Sequence, residues 1–149
     1  MGPSGDSVPN MTPVQTDLRP AVPADIPEVL ELWRESAAPT STDTVAAMTG
    51  LLQRDAGALI VAGPPGAIVG SVIAGWDGWR GSIYRLAVAP THRRRGIGRM
   101  LLHAAEERLV GLGARRLHAI VVETDAHAVD FWDATEWEHQ PAQRRYTWG

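Results

Sequence analysis

The run from Ser82 to Glu123 limits what this chain can fold into more than any other part of it. Ser82 to Val88 is strand-like, and Pro90 closes it. A basic turn follows, Arg93-Arg94-Arg95-Gly96-Ile97-Gly98, and then Arg99 to Leu112 repeats Leu101, Ala105, Leu109 and Leu112 at helical spacing, with Gly113 as its stop. Leu117 to Glu123 is strand-like again. A strand, a crossing helix and a second strand of the same sheet come out parallel. The end of the first strand, the basic turn and the start of the helix therefore meet at one place.

That place suits an anion. Two glycines one residue apart let the backbone pack closely with its N–H groups turned inward, and the helix adds its positive end. Arg93, Arg94, Arg95 and Arg99 supply four cations within seven residues and no acid stands among them. All 14 long cations of the chain are Arg, the residue suited to bidentate phosphate contact. Pyrophosphate is the expected occupant. A Walker loop is excluded because Gly98 is followed by Arg99-Met100, and the dinucleotide fingerprint because its third glycine is missing. The net charge of −3 and pI near 5.9 set this basic turn against an acidic background, which favours a small anion over nucleic acid.

The rest of the chain frames that unit. Residues 1–15 read as a flexible tail and 16–149 as one domain. Thr16 to Pro20 is a short strand. Asp25 to Ala37 is a helix with Ile26, Val29, Leu30 and Trp33 on one face. A second helix ends near Arg54, capped by Ser41 or Thr42. Strands follow at Ala58 to Ala62 and Ala67 to Gly75, with a Pro64-Pro65-Gly66 turn between them and an Asp77-Gly78 hairpin after them. A last helix spans Asp125 to Thr135, and short strands are expected near Trp137 to His139 and Arg145 to Trp148. With 0 Cys, no disulfide forms. No apolar run approaches a membrane span and no leader pattern opens the chain, so a soluble, cytoplasmic protein without a membrane partner is expected.

Metal and nucleophile chemistry find little support. The 5 histidines, His92, His103, His118, His127 and His139, show no i, i+4 pair and no neighbouring Cys, so no metal site is expected. No Gly-x-Ser-x-Gly elbow appears either.

The order of strand, Val88-Ala89-Pro90, basic turn, Gly-x-Gly and helix resembles the acyl-CoA-binding signature of the GNAT superfamily of N-acetyltransferases, Gln/Arg-x-x-Gly-x-Gly/Ala. Arg93, Gly96 and Gly98 take its fixed places, and the resemblance extends over Thr16 to Trp148. It implies an α/β fold, a central mixed sheet with helices on both faces. It also implies acetyl-CoA as acyl donor, with Leu86, Ala87 and Val88 along the pantetheine arm. One backbone N–H there would hold the thioester oxygen. The amides of Arg94, Arg95, Gly96, Ile97, Gly98 and Arg99 would take the pyrophosphate. Asp125 stands at the place of an Asn that contacts the arm, although a helix N-cap explains it as well. Trp132 stands where relatives carry a Tyr that protonates the departing thiolate, which indole cannot do.

The places at which two branches of the superfamily carry a catalytic Glu hold Ser82 and Ile120. Glu123, Asp77 and Tyr84 are the remaining base candidates, each with a plain structural alternative. The resemblance thus implies acetyl transfer to an amine acceptor. Its alternatives are an acyl-CoA sensor without catalysis and, less well supported, an Arg-mediated nucleic-acid contact. Pro39 to Asp43, Trp76 to Trp79 and His139 to Gln143 are expected to line the acceptor mouth. Relatives commonly form homodimers.

Overall fold

The computed structural model describes residues 16–149, so the tail expected over 1–15 lies outside the described residues. Packing separates two compact units, one ending at His118 and the other spanning Ala119–Gly149.

The chain runs β1 (Leu18–Pro20), α1 (Ile26–Ser36), α2 (Val45–Arg54), β2 (Leu59–Ala62), β3 (Gly70–Trp76), β4 (Gly81–Val88), α3 (Ile97–Leu112) and β5 (Leu117–Ala119), all but the last residue of β5 in the first unit. The sheet follows sequence order, with β1 through β4 antiparallel. β5 lies beside β4. Gly81 N–H donates to Arg116 O at 3.1 Å, and further along both strands, one residue on in β4 and two on in β5, Ser82 meets His118. That shared direction makes the pair parallel and the sheet mixed, as expected.

The core explains these elements. Ile26, Val29, Leu30 and Trp33 form the expected stripe on α1 and pack with Met48 and Leu52 of α2 over Leu59, Val61 and Ile73. Each such side chain contributes about 1.5–3 kcal/mol on full burial. β2 is buried along its whole length, which accounts for its unbroken apolar run. Asp25 anchors the start of α1. Its carboxylate accepts from Arg19 at 2.8 and 3.0 Å and from the Val22 N–H at 2.8 Å.

Three expectations need correction. α2 is capped by Thr44, whose Oγ1 accepts from Ala47 N–H at 3.1 Å, and not by Ser41 or Thr42. The strand expected to reach Glu123 stops at Ala119, and Ile120 and Val122 are more than half exposed. Strand propensity counts only where the side chain has a surface to cover. The two C-terminal strands do not form among the described residues; Tyr146 and Trp148 stand in solvent. Segments this short carry too few ladder bonds to hold without a buried face.

The second unit contains one helix, α4 (Ala126–Asp133). Asp125 is its N-cap, accepting from Ala128 N–H at 3.1 Å. Trp132 makes edge contacts with Phe131 and Trp137 at 5.7 and 4.9 Å. No helix of the described residues is long and apolar enough to cross a membrane.

Candidate active site along the fourth strand

β4 is interrupted at its middle. Ile73 pairs with Tyr84 and Ser71 with Ala87, so Arg85 and Leu86 stand together opposite Val72. Such a bulge bends the strand and re-aims its side chains. Arg85 adopts φ +50°, a left-handed conformation that a non-glycine residue holds only at a cost of about 1–3 kcal/mol.

Three distant segments hold it there. Trp33 Nε1–H of α1 donates to Ser71 Oγ of β3 at 2.8 Å, and Ser71 Oγ donates to the Arg85 carbonyl at 2.9 Å. Trp33 and Ser71 are fully buried, so neither polar group has water as an alternative partner. The Arg85 guanidinium reaches the loop before α2. Its Nε donates to Asp43 Oδ1 at 3.0 Å, Nη2 pairs with Asp43 Oδ2, and Nη2 also donates to Thr40 Oγ1 at 3.3 Å. It lies 5.3 Å from the centre of the Trp33 ring.

The bulge sorts the side chains of β4. Gly81 faces α3, where an added Cβ would come within 2.8 Å of Leu109 Cδ1. Ser82 and Tyr84 alternate onto the opposite face, with Tyr84 exposed. Beyond the bulge, Ala87 joins the core under α1 and α2. Ala89 N–H donates to Val69 O at 2.8 Å, so by alternation the Val88 N–H turns to the outer edge. The three residues of β5, matched to the start of β4, do not extend to Leu86–Val88.

The same strand leads into the basic turn. Arg94 and Gly96 adopt φ +65° and +81°, and Gly96 is the N-cap of α3 without a side-chain cap. The first N–H groups of α3 have no intrahelical acceptor, and the left-handed residues before them shape a concave run of amides. Arg94, Arg95 and Arg99 are exposed around it and Arg93 is half-buried. This donor set fits a diphosphate.

The base candidates fall in different surroundings. Asp77 Oδ1 accepts from Arg80 N–H at 2.7 Å and Trp79 N–H at 2.8 Å. These two bonds, the Arg80 one first, hold its carboxyl below the usual carboxylate range, which makes it a weak proton acceptor at neutral pH. Trp76 and Trp79 flank a hollow of about 480 Å³ with Leu112, Arg115 and Arg116, at the C-terminal end of α3. Trp76 therefore belongs to the α3 side of the sheet, away from Ser82. Glu123 is exposed in the turn before Asp125 in the second unit, to which Trp132 also belongs.

One residue was passed over by the sequence reading. His118 Nε2 lies 2.9 Å from Ser82 Oγ. Considering the histidines only as metal ligands hides it. The signal that finds it is parallel register, which sets one side chain of β5 beside Ser82. Among the described residues no group of three His, Cys, Asp or Glu is placed to hold a metal ion.

Residues 26–135 match the model of the acetyltransferase (GNAT) family. An acetyltransferase of Pectobacterium atrosepticum is 38% identical over 87 residues, 58% of this chain and 62% of that protein, so less than two thirds of its length is spanned. An acetyltransferase of Yersinia enterocolitica is 33% identical over 118 residues, 78% of this chain and 84% of that one. Among solved structures, AAC(6')-Iy in complex with the bisubstrate analogue CoA-S-monomethyl-acetylneamine superposes with a TM-score of 0.72 at 17% identity, covering 91% of this chain and 99% of its own. At that identity the likeness speaks for the fold.

Proposed function

Because this chain belongs to the GNAT acetyltransferase family, we propose that it transfers the acetyl group of acetyl-CoA directly to a primary amine, without an acyl-enzyme intermediate. One observation carries the reading: β4 carries a bulge and an outer edge that β5 does not reach over Leu86–Val88, and it leads into an arginine-ringed helix start without a side-chain cap. The backbone of Leu86, Ala87 and Val88 lies along the pantetheine arm, and an outward N–H there stabilises the oxyanion as the amine adds. The amides from Arg94 to Arg99, with Arg93, take the pyrophosphate. The thiolate leaves without a tyrosine. For a thiol of pKa about 8.5, departure unprotonated at pH 7 costs only about 2 kcal/mol, and water then protonates the sulfur.

The test is thiol release from acetyl-CoA over a panel of amines graded by basicity, with thermal shift by acetyl-CoA in parallel. Stabilisation together with turnover of at least one amine is the expected result. Stabilisation without turnover over the whole panel would favour an acyl-CoA sensor. No stabilisation would remove the cradle from the argument.

A further inference from the structure

We propose that His118 is the general base of the transfer and that it works through the hydroxyl of Ser82. The inference rests on the acetyltransferase reading and adds the proton acceptor that Ser82 and Ile120, as side chains without a carboxylate, do not provide. Ser82 Oγ and His118 Nε2 are 2.9 Å apart. Ser82 is buried and shares its sheet face with Tyr84, immediately before the bulge, whereas His118 is exposed and can return a proton to water. A buried hydroxyl bonded to an exposed imidazole is a two-step path between the strand where the thioester lies and solvent.

The surroundings suit an imidazolium formed in passing. Asp77 is near enough for its carboxylate and a charged His118 to attract one another. The other charged groups nearby are differently disposed. Arg80, in the same turn as Asp77, has its guanidinium carbon 4.0 Å above the Trp79 ring, and Arg116, two residues before His118, is exposed. Tyr84 is the further titratable group on the Ser82 face. Asp77 thus favours positive charge on His118 without being the base itself.

In the proposed step the acceptor nitrogen forms its bond to the acetyl carbon as one of its protons passes to Ser82 Oγ and the Ser82 proton passes to His118 Nε2. The tetrahedral adduct collapses with cleavage of the C–S bond. The CoA thiolate takes a proton from water and His118 gives one to water, so amine and acetyl-CoA become amide and CoA thiol with no further reactant.

The experiment compares wild type, H118Q, S82A, the double variant S82E/H118Q and H103Q in pH–rate profiles with the best amine of the panel. His103 is an exposed residue of α3 paired with Glu107 at 3.0 Å, so H103Q should behave as wild type. General-base loss is worth roughly 10²–10⁴-fold, so H118Q should lower kcat by about 100-fold or more and abolish the ascending limb, with KM for acetyl-CoA and its thermal stabilisation unchanged. S82A should reduce kcat and shift the limb. S82E/H118Q, with a carboxylate where the hydroxyl was, should restore an ascending limb and part of the lost kcat. An H118Q profile that matches wild type would overturn the proposal while leaving the transferase reading intact. No wild-type turnover of any amine would overturn both.

Discussion

The two halves of the segment from Ser82 to Gly98 are built on different terms. From Arg93 to Gly98 the design is mostly local: arginines and glycines whose backbone angles create a helix start. From Ser82 to Leu86 it is assembled. α1 contributes Trp33, β3 contributes Ser71, the loop before α2 contributes Thr40 and Asp43, and β5 contributes His118, all bearing on five consecutive residues. The difference implies a division of labour. A phosphate cradle can be carried by backbone alone, whereas holding a strained residue beside a proton path needs side chains fixed from several directions.

Breaking the assembled half should have the largest effect. Trp33→Ala removes a fully buried ring and leaves Ser71 Oγ without its donor, so unfolding in urea should show a loss of about 3–5 kcal/mol, together with loss of acetyl transfer. Trp33→Phe separates packing from hydrogen bonding. It keeps most of the ring and should cost about 1–3 kcal/mol, with activity falling more than acetyl-CoA affinity. Wild-type stability and activity in Trp33→Phe would show that the Trp33–Ser71 bond does not set the bulge.

A smaller, conditional effect comes from acid. The cradle contains no carboxylate, while the frame around α1 depends on one at Asp25. The hydrogen bond from Arg19 is the main reason that the Asp25 carboxyl titrates below its ordinary range, and the Val22 N–H adds to it against the opposing effect of burial. A depressed folded-state pKa contributes stability that is fully present above the unfolded value of about 3.9 and is lost as pH falls through the folded value. Wild type should therefore lose stability steeply below about pH 4. Asp25→Asn, less stable by roughly 1–3 kcal/mol at pH 7, should converge on wild type in that window. Parallel stability curves for the two proteins from pH 7 to pH 2 would contradict this account.

How much of this was legible in the sequence follows the same division. Gly96 and Gly98 between a strand and a helix announce the cradle, because glycine spacing and helix polarity act over a few residues. The α1 stripe at Ile26, Val29, Leu30 and Trp33 was readable for the same reason, and so was Asp125 as an N-cap. The bulge was not. Arg85 is an ordinary strand residue by composition, and only its carbonyl bond to Ser71 and its ion pair with Asp43 explain its positive φ. The end of β5 at Ala119 was equally hidden, since Ile120 and Val122 have the composition of strand residues and lack only a surface to cover.

The smallest change tests whether the cradle is as local as it looks. Nothing lies within 4 Å of a Cβ built on Gly96, so a substitution there meets no atom and its cost is confined to the backbone angle of φ +81°. An L-residue in that region costs about 1–2 kcal/mol, and Asn less than Ala because its short polar side chain tolerates the left-handed conformation. The stability order should be Gly96, then Gly96→Asn, then Gly96→Ala, within about 2 kcal/mol overall by urea denaturation. Affinity for acetyl-CoA should follow the same order, because the angle that the substitution strains is the one that aims the amides of Ile97 and Gly98. Activity at saturating acetyl-CoA should barely move, since Ser82, His118 and the bulge are untouched. An Ala variant that kept its acetyl-CoA affinity but lost kcat would mean that the cradle and the bulged strand are coupled after all.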